Sequence, residues 1–173
     1  MGKEIERKFL LTGEGWRERI QSSVPMAQGY LMGVAALMAG HARASVRVRI
    51  AGSEAWLNIK SSVRGIERAE FEYPVPMADA RDMLDTLCDG KVEKTRHHVR
   101  VEGTMFEIDE FAGANHGLVV AEVELEHAGQ AVPRPSWLGR EVSDEKRYYN
   151  VFLVDHPFTQ WTDAERSGEA AAC

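Results

Sequence analysis

Residues 4–8 read Glu-Ile-Glu-Arg-Lys and lead directly into the apolar run Phe9-Leu10-Leu11. In an extended strand alternate side chains share a face, so Glu4, Glu6 and Lys8 form one row and Ile5, Arg7 and Phe9 the other. Carboxylates hold a hard divalent cation and an ammonium meets phosphate oxygens, so this row suits a metal-bound polyanion. On its own such a pentapeptide is more often a solvated strand face. The segments that must position it decide between the two.

Alternating runs recur and predict eight strands, at about 3–11, 27–33, 43–51, 54–62, 66–76, 91–101, 104–111 and 117–127. Short connections carrying Gly, Asn or Ser, at 51–54, 62–65, 102–104 and 112–117, make neighbouring strands antiparallel. Helices are few: a short one over 13–22 with Trp16 and Ile20 on one side, a better one over 77–89, and a third capped by Ser143 and running from 144 to 154. Residues 1–158 read as one domain and 159–173 as a polar, Ala-rich, unstructured tail.

Phasing each strand puts acids and bases on the face opposite the apolar one. Arg47 and Arg49 oppose Val46, Val48 and Ile50, and Lys60 opposes Leu57 and Ile59. Arg68, Glu70 and Glu72 oppose Phe71 and Tyr73; Lys94, Arg96, His98 and Arg100 oppose Val99 and Val101. Glu107 and Asp109 oppose Phe106 and Ile108, and Glu122 and Glu124 oppose Val123 and Leu125. An ordinary one-sided sheet explains any single strand. It explains the set poorly, because like charges stand at i and i+2 and repel without a counter-ion between them. Eight strands suffice to close a barrel wide enough for a ligand, so the expected architecture is a mainly β, closed eight-stranded antiparallel barrel with a few surface helices and a C-terminal helix. Its lumen would set eight acids (Glu4, Glu6, Glu70, Glu72, Glu107, Asp109, Glu122, Glu124) against seven bases (Lys8, Arg47, Arg49, Lys60, Arg68, Lys94, Arg96). Buried salt bridges alone return little for the desolvation they cost. Carboxylates around Mg²⁺ or Mn²⁺, and bases around phosphoryl oxygens, satisfy both sets.

The 173 residues, 44% hydrophobic and 28% charged, fit one globular domain. No apolar run is long enough to span a bilayer and no signal peptide opens the chain, which predicts a cytoplasmic protein with no membrane partner. The net charge of -6 argues against a nucleic-acid partner. Two cysteines form neither a disulfide framework nor a zinc site, and His97 and His98 must face opposite sides of a strand.

In this order the motifs resemble the CYTH proteins, or triphosphate tunnel metalloenzymes, over about residues 3–155: Glu4-Ile-Glu6-Arg-Lys8, Gln28-Gly29-Tyr30-Leu31, Arg47/Arg49, Lys60, Arg-Ala-Glu-Phe-Glu at 68–72, Glu93-Lys94-Thr95-Arg96, Glu107-Ile-Asp109-Glu-Phe and Ala121-Glu122-Val-Glu124-Leu. The resemblance implies an eight-stranded tunnel that binds a triphosphate with divalent metal, its C-terminal helix plugging one mouth. It assigns Glu4, Glu6 and Glu124 to an activating Mg²⁺ or Mn²⁺, with Glu72, Asp109 and Glu122 contributing there or at a second ion. It assigns Lys8, Arg47, Arg49, Lys60, Lys94, Arg96 and, on the lid side, Lys146 to phosphates, and the Tyr30–Lys60 pair to activation of the attacking water. The small-residue-rich segment 31–44 departs from the family pattern and bears on substrate access.

The implied reaction is hydrolysis of inorganic triphosphate to diphosphate and phosphate by a monomer or homodimer. An organic triphosphate is the alternative (adenylate cyclase, thiamine triphosphatase or nucleoside triphosphatase), with Trp56 available for stacking. Polyphosphate binding without turnover is a third. A Lys60 base among cations predicts a basic pH optimum.

Overall fold

The computed structural model describes residues 5–33, 35–36, 39–61, 70–127 and 129–168. It is dominated by one antiparallel sheet of nine strands: β1 Ile5–Leu11, β2 Ile20–Tyr30, β3 Ala44–Ala51, β4 Glu54–Ser61, β5 Glu70–Pro74, β6 Lys91–Val101, β7 Thr104–Phe111, β8 Val119–Leu125 and β9 Leu138–Glu141. The spatial order is β5-β4-β3-β2-β6-β7-β8-β1-β9. Helices α1 Met77–Thr86, α2 Asn150–Asp155 and α3 Asp163–Ser167 accompany it.

The alternation that predicts strands also sets their register. β6 and β7 run the full length expected, 91–101 and 104–111, and join through Glu102-Gly103, both at positive φ (50° and 84°), as a two-residue hairpin turn with the sheet's own twist requires. Directly paired residues share a face, and the pairing Glu6↔Glu124, Lys8↔Glu122, Glu122↔Glu107, Asp109↔Arg96, Arg47↔Asn58 and Lys60↔Glu70 runs every phased charge among the described strands onto one side.

Three apolar clusters hold this surface in place. Phe9, Trp16, Phe106, Ile108, Val123 and Trp137 pack on the outer face of β1 and β6–β8. Val48, Ala55, Ala80 and Leu84 join α1 to the outer face of β2–β4. The third lies on the charged side itself. Val92, Phe111, Val120 and Leu10 continue that face beyond its charges and gather Tyr148, Leu153 and Trp161 from the C-terminal segment, which therefore closes one end, as a plugging helix should.

Several expectations are corrected. The sheet has nine strands rather than eight and is not closed by pairing: β5 and β9 are its edges. The extra strand, Leu-Gly-Arg-Glu, has no alternation to reveal it and is held by an irregular pairing with β1. The helix expected over 13–22 is a single 3-10 turn at Arg17–Arg19, after which β2 begins at Ile20, seven residues early, with a bulge between Ile20 and Ser22. Ser143 caps no helix; its hydroxyl accepts from the Lys8 backbone N–H at 3.0 Å and donates to Glu141 at 2.7 Å, and α2 starts only at Asn150 after a 3-10 turn at Lys146–Tyr148. Beyond residue 158, where the sequence suggests an unstructured tail, Trp161 is buried and Thr162 and Glu165 form a reciprocal capping box that starts α3. Glu4, Arg68 and part of the expected fifth strand lie outside the described residues.

Candidate active site

The charged face divides into two walls. On β1, β6, β7 and β8 the charges interlock. Lys8 is buried and ion-paired with Glu122 and, at 2.9 Å, with Glu6. Lys94 is buried against Asp109. Arg96 meets Asp109 through Nε and Nη2, both at 2.7 Å, reaches Glu122 at 2.6 Å and also pairs with Glu107. Glu107 and Glu122, directly paired across β7 and β8, have Arg96 between them.

These contacts set the charge states. Burial works against the Lys8 ammonium, but Glu122 and Glu6 outweigh it and raise its pKa. Burial opposes ionisation of Glu122 too, and Lys8, Lys94 and Arg96 more than reverse that, holding it well below the usual carboxylate range. Burial also opposes the Arg96 charge, which its hydrogen bond to Asp109 and the surrounding carboxylates secure. For Lys94 burial wins, and its pKa is lowered in spite of Asp109.

The second wall, on β2–β5, is built differently. Tyr30, Arg47, Asn58 and Glu72 stand in one row across four strands. Arg49 Nη2 bonds Glu72 Oε1 at 3.0 Å and its guanidinium lies 5.4 Å over the Trp56 ring. Lys60 pairs with Glu70 at 3.2 Å. Here donors are left over: the Nε atoms of Arg47 and Arg49 are buried without a hydrogen-bond partner. Burial and the neighbouring Arg47 lower the Arg49 pKa. Burial likewise raises the Tyr30 pKa, which keeps that side chain a neutral phenol. Lys8, Lys94, Asp109 and Glu122 on the first wall and Asn58 on the second are buried although all stand on the charged face, as they are where a sheet curls over that face.

Surplus buried guanidinium donors opposite a lattice of ammonium groups define an anion site, and its two walls suit an extended chain of phosphates. Glu6 and Glu124 are directly paired, exposed on the charged face, and like charges directly opposite are destabilising. Their hard oxygens fit a divalent cation. Glu122 and Asp109 are instead committed to Lys8, Lys94 and Arg96, and Glu72 to Asn58 and Arg49. Among the described residues no three acidic, His or Cys side chains converge as a ready-made cage. Lys146 is exposed on its 3-10 turn and makes no ion pair with the ladder among the described residues. Tyr30 neighbours Arg47, and the structure shows Lys60 paired with Glu70 rather than with that phenol.

Two contributors escape the phasing of charges because they are neutral or lie on irregular chain. Asn58 is fully buried in the Arg47 row, and the Tyr149 ring lies 5.8 Å from the Lys8 ammonium. Alternation alone marks Asn58 as inward-facing; nothing in the sequence marks Tyr149. His97 and His98 do point oppositely, His97 against Trp16 on the outer face and His98 towards Glu107 on the charged one.

A curled antiparallel sheet with one face of interlocked acids and bases is the arrangement of a polyanion-binding enzyme fold. The CYTH domain model matches residues 2–156, and the chain belongs to that family. An inorganic triphosphatase of Acetivibrio thermocellus is 38% identical over 164 residues, covering 94% of this chain and all of the relative; one from Nitrosomonas europaea is 36% identical over 155 residues, covering 87% and 96%. The crystal structure of the inorganic triphosphatase NE1496 superposes with a TM-score of 0.64 at 33% identity, over 89% of this chain and 95% of that one. The Pyrococcus horikoshii PH1012 structure, at 18% identity and a TM-score of 0.53, covers 73% of this chain and 80% of its own and shares the fold alone.

Proposed function

We propose that this protein hydrolyses inorganic triphosphate to diphosphate and phosphate on the charged face of the sheet. The observation that carries the reading is the pair of buried, unpartnered Nε donors of Arg47 and Arg49 facing the Lys8–Lys94–Arg96 lattice. An extended row of phosphates takes up both, and the relatives named as inorganic triphosphatases support the choice of substrate. Arg47, Arg49, Lys60, Lys94, Arg96 and Lys8 grip non-reacting and terminal phosphates, with Lys146 closing from the plugged side; phosphoryl transfer is accelerated chiefly by such positioning and charge neutralisation.

Glu4, Glu6 and Glu124 hold Mg²⁺ or Mn²⁺, with Glu72, Asp109 and Glu122 beside them, and the bound ion supplies further neutralisation of phosphate charge. Substrate entry breaks the Lys60–Glu70 pair; the lysine, once it has released a proton to solvent and stands as the neutral amine, takes the proton of the attacking water, and the Tyr30 phenol is left as a hydrogen-bond donor. The same reading places the enzyme in the cytoplasm, in keeping with Cys88 as a free thiol.

A second reading, an organic triphosphate, is favoured by Trp56, whose ring shares the charged face with Arg49 and could stack on a base. Phosphate and cyclic AMP released from tripolyphosphate, ATP and thiamine triphosphate, with Mg²⁺ or Mn²⁺ from pH 6 to 10, separate the two. Turnover of tripolyphosphate at least tenfold above the organic substrates supports the first; the reverse ranking replaces it with the second.

A further inference from the structure

Asn58 lies mid-strand in β4, its side chain on the charged face between Arg47 on β3 and Glu72 on β5. It is fully buried. Its Nδ2 donates to Glu72 Oε1, the same oxygen that Arg49 Nη2 meets at 3.0 Å, so the amide plane is fixed. Oδ1 then has no hydrogen-bond partner, and a buried carbonyl oxygen left so is destabilising. Arg47 Nε, on the residue directly opposite, is a buried donor in the same position, yet the two do not bond each other.

A single small molecule that donates to Oδ1 and accepts from Arg47 satisfies both. An ionised phosphate oxygen only accepts, so it suits the arginine and not the asparagine. Water does both. Lys60, the proposed base, is two residues along β4 on the same face.

We propose that Asn58 holds the water that attacks the terminal phosphorus. One water hydrogen is bonded to Oδ1, which turns an oxygen lone pair towards phosphorus. The water oxygen forms the new P–O bond, the bond from phosphorus to the bridging oxygen breaks with its electron pair leaving on diphosphate, and the proton lost passes to the Lys60 side chain as its neutral amine, its own proton already given up to solvent. The assignment rests on the triphosphatase reading above.

The isosteric pair Asn58→Thr and Asn58→Val tests it, since the two differ in one acceptor oxygen. Steady-state kinetics with tripolyphosphate and calorimetric binding of a non-hydrolysable imido analogue are measured on each, with thermal unfolding as the folding control. The expected result is a kcat about 100-fold below wild type for Asn58→Val, less than about tenfold below for Asn58→Thr, at unchanged KM and analogue affinity. The deficit should be uniform across pH, because no titrating group is removed. Loss carried by KM or by analogue affinity overturns the assignment in favour of a phosphate contact. A raised Mg²⁺ requirement matching that of Glu72→Gln overturns it in favour of an indirect role through Glu72. An active wild type with Asn58→Val at full kcat overturns this inference alone; a wild type that turns over no triphosphate overturns it together with the functional reading.

Discussion

Arg96 and Asp109 face each other across β6 and β7 and meet in two parallel bonds of 2.7 Å, with Asp109 fully buried and bonded to Lys94 as well. One carboxylate thus neutralises two cations that an anionic ligand would otherwise have to hold. Replacing it leaves Lys94 without its ion pair and Arg96 with Glu107 and Glu122 alone. Asp109→Asn should lower stability by about 3–5 kcal/mol in urea unfolding, the scale for breaking a buried ion pair from one side. Added tripolyphosphate should stabilise the variant by more than it stabilises wild type, as the phosphates take over the missing charge. Equal ligand-induced shifts in the two proteins would show that Asp109 stands apart from the anion site.

Arg47 and Arg49 present the opposite case. Their Nε atoms have no protein partner to lose. Arg47→Ala and Arg49→Ala should each raise KM for tripolyphosphate ten- to a hundredfold, roughly one charge-assisted hydrogen bond, while thermal unfolding moves little. Arg49→Lys should recover only part of the loss, since an ammonium cannot bond Glu72 and a phosphate in the same fork. A KM within twofold of wild type in both alanine variants removes this wall from the binding site.

Acid stability follows from Glu122 and Glu141. Both carboxyls titrate lower in the folded chain than the ordinary 4.5: Glu122 through Lys8, Lys94 and Arg96 against its burial, and Glu141, at about 2, through its hydrogen bond from Arg7. A depressed folded pKa gives stability that is complete above the unfolded value and is lost as pH falls below it. Stability should therefore hold above about pH 4.5 and decline below it, and Glu141→Gln should remove the part of that slope between 4.5 and about 2. On the alkaline side Lys8, raised above 10.5, loses stability as pH climbs past that value, whereas Lys94, lowered by burial, gains it on the approach. The alkaline limb should be the shallower. Urea midpoints at pH 3, 4, 5, 7, 9, 10 and 11 read both limbs, and an acid limb unchanged by Glu141→Gln contradicts the assignment.

The strands that bear this chemistry were readable because period-two alternation sets both register and face. Lys94-Thr-Arg96 and Glu107-Ile-Asp109 could be phased without any structure, and their pairing follows from a two-residue turn. What alternation cannot show is how far a sheet extends where the pattern lapses. Ser22-Ser23-Val24-Pro25 carries neither strong β-formers nor free N–H groups at every position, yet its pairing with Arg96 and His97 on β6 holds it in the sheet. Leu138–Glu141 forms an edge strand because it meets Phe9 and Leu11, contacts distant in sequence. Nor can phasing tell how each carboxylate is engaged: Asp109 and Glu122 are buried against Lys94, Lys8 and Arg96, whereas Glu6, which also meets Lys8, and Glu124 stand exposed.

That last distinction yields a prediction about metal. Glu6 and Glu124 are opposed on adjacent strands and exposed, so their mutual repulsion is what a bound cation relieves. Glu6→Gln and Glu124→Gln should raise the Mg²⁺ concentration for half-maximal turnover at least tenfold and change the stability of the apo protein little, because both residues are exposed and the Lys8 ammonium that Glu6 meets keeps Glu122. Glu122→Gln should behave differently, destabilising the apo protein through the loss of a partner for Lys8 and Arg96. Chelation with EDTA should abolish turnover in all of them and restore nothing by subsequent Ca²⁺ unless the site is indifferent to ion size. Metal titrations of turnover, paired with thermal unfolding in EDTA, read the two effects separately. If Glu6→Gln and Glu124→Gln keep the wild-type Mg²⁺ requirement, the ion sits elsewhere on the face and the opposed pair is a surface feature only.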